Sequence, residues 1–505
     1  MARIVIIGAG MSGLAAASRL ATLGHRVTVC EAGGTYGGMV GRYERDGFAF
    51  DTGPGLLTLP AVYRDLALKT GREPLEELVG LAPVDPESRH LFADGTGLVL
   101  PNASRGGVVQ ALDGAFGAGA GARWAEVMNH GRTVWEATRR PLLEEPLPAD
   151  RTPLHTDPYP APPRKGLLAR LTRPRPWTLS SVARHELGGH PGLTALLNEY
   201  ALRFGLHPDT APASATVLPY MEQSFGVWYV RGGIRALADA VHRRCEQRGV
   251  DFRFDTEVTG VVVADGRAVG VGTAAGRIDA DLVISSMDAW ALFRRRIAEW
   301  PDGGDPAAWG PYQEPSGRFS VLLALRGARP AGTVHRTVVH AADAAAEWNA
   351  LTLSTGLCER PTVQVLRPDD PSLRPDDDHE SAVLTVTVPA QGTRDDGGVD
   401  WTAPGLAERY ADRLLDHVDA AGLGLRERVL WRVVRTPEDT RRETGAFLGG
   451  VPRPALAGDG GNWLQFANAS PVPGLYLVGG AAHPGGGLAR VGMSASVVAG
   501  LIGPA

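Results

Sequence analysis

Three glycines, Gly8, Gly10 and Gly13, an acid at Glu31, and a glycine-crowded turn around His483 are the residues whose types and spacing point to chemistry. The first set reads G-x-G-x-x-G directly after the apolar run 4–7, and the helix-forming stretch LAAASRLATLG follows it. A second apolar run, 26–30, ends at Glu31, about 20 residues beyond the glycines, where a carboxylate accepts hydrogen bonds from ribose hydroxyls. Glycines let a pyrophosphate come close to the helix N-terminus, whose free N–H groups and dipole favour an anion. A lone G-x-G-x-x-G is also an ordinary strand-to-helix turn. With strand, helix, second strand and terminal acid all in place, the stretch reads as a dinucleotide cradle. The second glycine-rich stretch, VGGAAHPGGGLARVGMSA at 478–495, raises the question of what approaches its backbone so closely.

The elements that must hold these residues follow from length and pattern. A chain of 505 residues is too long for one core, so two domains with a shielded pocket between them are expected. Hydrophobic residues are 44%, charged ones 21%, and the net charge is -5, which supplies no basic field for nucleic acid. Cys30, Cys245 and Cys358 lie far apart without CxxC spacing, reading as buried thiols in a reducing compartment, with no zinc or other metal site. The first residues run straight into a strand, so a cytoplasmic location is expected, and no apolar run approaches the length of a membrane span. Of 51 basic residues only Lys69 and Lys165 are lysines, which leaves few for catalysis.

The middle of the chain divides by composition. Residues 100–176 are rich in proline, alanine and arginine and read as an irregular connection. Within 164–182, arginines mix with Leu167, Leu168, Leu171, Trp177 and Leu179, suiting a segment that lies on an anionic bilayer; the plainer alternative is a solvated surface helix. A helix is expected over 234–248, with strands at 250–254 and 280–287 and a hairpin turning at the ADGR of 264–267. The runs 315–325 and 381–389 read as strands of a second sheet, and Trp463 and Phe466 as core or pocket wall.

After Glu31 the pattern E-A-x-x-x-x-G-G reaches Gly37 and Gly38 and runs on to FAFDTGPGLL, which resembles the extended fingerprint of glutathione-reductase-type FAD flavoproteins. That fingerprint, together with FDTGPGLLTLP, GVWYVRGGIRAL, RPDDPSLRP, TPED and LYLVGGAAHPGGGLARVGMSA, resembles the bacterial phytoene desaturase family of carotenoid oxidoreductases along essentially the whole chain. The double glycine before AAHPGGG is more similar to the hydroxycarotenoid 3,4-desaturase branch. The resemblance implies an α/β flavoprotein: a Rossmann-like FAD-binding domain of glutathione-reductase type with an inserted α+β substrate domain. The FAD-binding parts would span 1–75, 218–290 and 455–505, and the substrate parts 76–217 and 291–454. It implies FAD contacts at Gly8, Gly10, Met11, Ser12, Gly13, Glu31, Ala32, Gly37, Gly38, Met39, Gly55, Val258, Gly479, Gly480, Val491 and Met493. Where the family commonly has arginine after the double glycine this chain has Met39, with Arg42 nearby. Where it commonly has proline after HPGGG and a hydrophobe, this chain has Ala489, followed by Arg490.

The activity implied is desaturation of a long apolar polyene, with hydride passing to flavin N5 and a neighbouring proton lost from the allylic cation. No second Rossmann fingerprint serves a nicotinamide partner, so dioxygen or a quinone is the expected electron acceptor, and peripheral membrane contact follows from a lipid-soluble substrate. Candidate catalytic residues are His483, as proton acceptor or substrate-orienting group, and Glu222 at the pocket wall; a turn-stabilising histidine and an ion-paired carboxylate are the plainer readings. Three other functions stay open at this point. They are a related enzyme that oxidises or cyclises another polyene-derived metabolite, a flavin amine oxidase, and a non-catalytic prenyl-protein-binding relative.

Overall fold

Isoleucine and valine side chains buried on both faces put the strand Arg3–Ile7 in the middle of a five-stranded parallel sheet. The sheet runs in the order Asp251–Arg253, Arg26–Cys30, Arg3–Ile7, Leu282–Ser285 and Leu475–Leu477. Three well-separated stretches of chain therefore meet in one sheet. The central strand has its sequence neighbour on one side and a much later strand on the other, the arrangement in which doubly wound sheets leave a crevice at the strand ends. Gly8 sits at that end, directly after Ile7. The computed structural model describes residues 1–161, 176–299, 315–352, 356–392 and 398–505.

One face of this sheet carries the helices Met11–Thr22, Arg235–Gln247 and Leu488–Ile502, which share a core that includes Leu14, Leu20, Val241 and Val498. The helix expected over 234–248 is thus present, one residue shorter at each end. The other face packs Val5, Ile7, Val283 and Leu477 on Phe293 and Phe466. Phe466 contacts the Trp290 ring edge-on, and Trp463 is buried as well, so both aromatics belong to cores. The expected hairpin forms between Val258–Ala264 and Arg267–Thr273, and Gly276–Asp279 adds a third strand.

The second sheet has seven strands in the order Val429–Arg435, Ser316–Arg326, His379–Pro389, Val363–Leu366, Arg336–Val339, Ser88–Leu91 and Gly97–Leu100. The two stretches read as strands pair antiparallel over their full length, with Phe319 opposite Val386. The amphipathic helix Leu406–Ala420 covers one face through Tyr410, Leu414 and Leu415. A helical layer holding Ala120–Arg139, Pro191–Leu202 and Val217–Phe225 lies beside this sheet.

The junction between layer and sheet is ionic and buried. Arg203 donates to Glu199 at 2.7 Å and to Glu222 at 2.6 Å, while Arg336 donates to Glu222 at 2.8 Å and to Glu87 at 2.5 Å. This arrangement replaces the reading of Glu222 as a candidate catalytic residue at the pocket wall with the plainer one, an ion-paired carboxylate. Burial by itself would raise its pKa, but Arg203 and Arg336 outweigh burial and hold it low, and both its oxygens are engaged. Glu87, fully buried with one oxygen unpartnered, is pushed up instead. Glu222 is a counter-ion of the frame.

One further expectation changes. Cys30 and Cys245 are buried free thiols, whereas Cys358 is half-buried. Of the segment 164–182, residues 164–175 lie outside the described residues. The remainder is packed inward, with Trp177 stacked on Tyr159 and the helix Leu179–His185 burying Leu179 and Val182. Among the described residues no helix is long and apolar enough to cross a membrane, and no group of three His, Cys, Asp or Glu side chains could hold a metal ion.

Removing one partner of a buried ion pair strands the other charge in a low-dielectric interior, at about 3–5 kcal/mol. Arg336→Leu is therefore expected to lower the urea-unfolding free energy by that order, and adding Glu87→Gln in the same chain to recover part of it. A loss below about 1 kcal/mol contradicts a cohesive role for the cluster.

Candidate functional site

The helix Met11–Thr22 begins without a cap. Its N-cap is Gly10, no side chain caps its first turn, and that turn holds no acid. The first N–H groups of a helix have no intrahelical partner, so this end presents unpaired donors and the positive end of the dipole. Close packing leaves the end bare: a Cβ at Gly13 would lie 2.2 Å from the Gly8 carbonyl oxygen, and Gly8 itself has φ of 94°. Glu31 closes the far side, accepting from Ala9 N at 2.7 Å and Gly33 N at 2.8 Å. Its own backbone takes in Arg253 and Thr256, which draws the chain leading to the buried Val258 alongside.

The second glycine pair folds over the first. Gly37 N donates to Ala9 O at 2.8 Å, Gly37 bridges Gly10, and a Cβ on Gly38 would lie 3.1 Å from Gly10 Cα. This loop is tied down from the helix Arg235–Gln247. Arg235 donates to Tyr36 O at 2.7 Å and to Thr35 Oγ1 at 3.1 Å, its guanidinium lies over the Tyr36 ring, and Tyr36 stacks on His242. The same helix is capped from a distance by Asp51, which accepts from Ile234 N at 2.9 Å, while Asp370 accepts from Gly232 N and Tyr229 Oη. Burial pushes the Asp51 carboxyl up to about 6 against those backbone donors. Nothing local marks Asp51, Arg235 and Asp370 for these ties; the partners lie 138 to 200 positions away in the chain, beyond the reach of any local pattern.

The glycine-rich C-terminal stretch meets the same place. Val478 N donates to Ser285 O, Ser12 Oγ is 2.8 Å from Ser286 Oγ, and a Cβ on Gly479 would lie 3.1 Å from Ser12 Oγ. The helix Leu488–Ile502 that follows also starts on a glycine, Gly487, with no side-chain cap and no acid in its first turn. Asn468 clamps this turn, with its Nδ2 3.0 Å from Leu477 O and 2.8 Å from His483 O; nothing in its sequence surroundings marks it. Two bare helix starts and three glycine-lined approaches fit a dinucleotide cofactor, and Gly8, Gly10, Met11, Ser12, Gly13, Glu31, Gly37, Gly38 and Gly479 are the residues brought together there that would hold it. Gly480 packs on Pro452, Gly55 on Leu366, and Val491 and Met493 sit half-buried in the first turns of the last helix. Ala32 is exposed beside Glu31 and Met39 is half-buried. Arg42, the nearby cation, is engaged with Gly232 O and Glu44.

His483 is fully buried and its Nε2 lies 2.9 Å from Glu145 O. A carbonyl only accepts, so Nε2 carries the proton, and burial pulls the imidazole down to about 4. Glu145 ends the turn Arg140–Glu144, whose Leu142 and Leu143 line a cleft of about 360 Å³, part of it open to solvent. His483 thus positions the cleft wall and is not itself on it. The wall consists mainly of Val134, Trp135, Leu142, Leu143, Val217, Met221 and Leu456, with Arg490 from the last helix.

Two outcomes follow. Gly13→Val is expected to yield protein without flavin absorbance, since its side chain must displace the Gly8 carbonyl. The second concerns acid. His483, His335 and His340 are each pulled to about 4 by burial, so the folded protein holds them neutral while the unfolded chain takes up protons below about 6.5. Their stability contribution is complete above pH 6.5 and is lost as pH falls towards 4. Urea unfolding between those limits is expected to weaken steadily with acid, with a shallower slope in His483→Ala; that variant retains flavin and turns over more slowly.

The sequence pattern of the family described as flavin containing amine oxidoreductase matches residues 11–297. The chain is 30% identical to an all-trans-zeta-carotene desaturase of Myxococcus xanthus, covering 98% of this chain and 92% of that one. It is 25% identical to a 1-hydroxycarotenoid 3,4-desaturase of a Flavobacterium species, covering 99% of both. In structure it is similar to an oxidoreductase from Methanosarcina mazei, with a TM-score of 0.64 at 17% identity over 98% of this chain and 99% of that one. The cradle and these likenesses agree on the cofactor: the chain belongs to the flavin containing amine oxidoreductase family and is an FAD-dependent oxidoreductase.

Proposed function

We propose that this oxidoreductase removes hydrogen from a CH–CH bond of a long apolar polyene of the carotenoid type, extending its conjugation. The observation that carries this reading is the apolar wall of the cleft beside the start of the helix Leu488–Ile502, which suits a hydrocarbon chain and offers an amine no carboxylate. FAD, when bound, supplies the hydride acceptor. The protein's share is to hold the reacting carbon in place and keep water out, work that needs shape more than acid or base groups. His483, held neutral and turned to Glu145 O, serves that work by fixing Leu142 and Leu143.

The amine oxidase reading is weakened by the lysines. Lys69 lies exposed on the surface beside Asp65, and Lys165 falls outside the described residues. A complete cofactor cradle argues against a non-catalytic prenyl-protein-binding relative. We also propose that the FAD-binding part comprises residues 1–75, 218–290 and 455–505, the substrate part 76–217 and 291–454, and that electrons leave to dioxygen or a quinone at a membrane surface.

The test is to supply the flavin-loaded protein with phytoene or a hydroxylated carotenoid, together with a quinone or dioxygen. A product with longer conjugation, seen as a red-shifted absorption spectrum, is expected. Absence of product from both, or turnover of a polyamine instead, overturns the reading.

A further inference from the structure

Arg490 stands in the first turn of the helix Leu488–Ile502 and on the wall of the apolar cleft. Three other polar side chains there are already committed. Thr138 donates to Val134 O, Ser214 donates to Ala457 O, and Arg139 pairs with Glu144. Arg490 has a single hydrogen-bond contact among the described residues, from Nη2 to Met221 Sδ at 3.7 Å, and a thioether is a weak acceptor. The nearest acid in the chain to that contact, Glu222, is turned away into the buried cluster with Arg203 and Arg336. Arg490 is half-buried, and burial pulls its pKa down to about 10; among the described residues no carboxylate supports its charge, and it is still a cation at neutral pH.

A guanidinium has five donors and no acceptor, and leaving such donors unpaired in an apolar site is unfavourable. A pure hydrocarbon filling the cleft would strip water from Arg490 and return nothing. A ligand with an oxygen at the right place would pair with it, through a hydrogen bond strengthened by the charge.

We propose that Arg490 is a specificity-determining residue that receives a hydrogen-bond-accepting oxygen near one end of the polyene, so that the enzyme prefers an oxygenated polyene to the parent hydrocarbon. The inference rests on the polyene reading above and narrows it. An unpaired donor set selects by omission: the analogue lacking the oxygen is rejected because it leaves the site's own polar group unsatisfied.

Neurosporene and hydroxyneurosporene make a matched pair, differing by the elements of water at one end. Their dissociation constants for the flavin-loaded protein, read from quenching of tryptophan emission in detergent of fixed composition, test the proposal, with turnover measured alongside. The protein is expected to bind the hydroxylated probe about 10- to 100-fold more tightly. Arg490→Leu should weaken binding of the alcohol and strengthen binding of the hydrocarbon, bringing the ratio close to one. Arg490→Gln, which keeps two donors without the charge, should fall between. A misfolded variant shifts both ligands together and loses flavin, so the ratio separates recognition from folding. Equal affinities in the unsubstituted protein, or an unchanged ratio in Arg490→Leu, overturn the role of Arg490 and leave the polyene reading standing. No binding and no turnover of either probe overturns the polyene reading and this inference with it.

Discussion

The close contact of Gly13 with the Gly8 carbonyl is the constraint on which the rest of the structure depends. It brings the helix Met11–Thr22 down onto the end of the central strand and leaves its first N–H groups bare. An uncapped helix end in a protein interior is unfavourable unless something negative and hydrogen-bonding fills it. The surrounding elements shape that helix end for an anion. Glu31 borders it, the loop carrying Gly37 and Gly38 lies across it, and Gly479 comes in beside Ser12. The stretch 478–495 is glycine-rich mainly because the chain at 452–455 packs against it: a Cβ on Gly480, Gly485 or Gly486 would run into Pro452, Arg453 or Ala455, and Gly479 is the glycine that comes up beside Ser12.

Charge is managed differently in the two halves of the molecule. Where the helical layer meets the seven-stranded sheet, Arg203, Arg336, Glu199, Glu222 and Glu87 form a buried network whose members hold one another in place. Such a network specifies an arrangement more than it stabilises one, since its desolvation offsets much of its attraction. Drawing Glu222 into it also clears the adjacent cleft of negative charge. Among the described residues the cleft wall is then mostly hydrocarbon, with the committed side chains of Thr138, Ser214 and Arg139, and with Arg490, whose hydrogen bond runs to a thioether.

The long-range ties are carried by side chains that look unremarkable in sequence. Asp51 reaches the helix at Ile234, Asp370 reaches Gly232 and Tyr229, and Asn468 holds the turn at His483. Asp51 ends the strand Phe48–Asp51, Asp370 and Asn468 lie outside the strands, and each bonds backbone groups of another segment. A local pattern reports what a residue does to its own neighbours along the chain, so contacts of this kind leave no periodicity to read. The same limit explains Glu222. Its neighbours along the chain do not tell where its side chain points, because that direction is set by Arg203 and Arg336.

The chain by itself determined the cofactor cradle. Close approach of backbone to a diphosphate admits little but glycine, and an acid at the end of the second strand has to be in the sequence to be in the site, so Gly8, Gly10, Gly13, Glu31, Gly37 and Gly38 are visible as letters. The apolar runs of the two sheets were visible for a similar reason, since burial demands a residue type and repeats with the period of the element. Tertiary structure alone decided which polar groups are spent and which are free. His483 became a positioning residue when its Nε2 met Glu145 O, Glu222 became a counter-ion when Arg203 and Arg336 closed on it, and Arg490 came to the cleft wall with a thioether as its one hydrogen-bond contact among the described residues. Pairing is a property of distances between remote residues, and those exist only once the chain has folded.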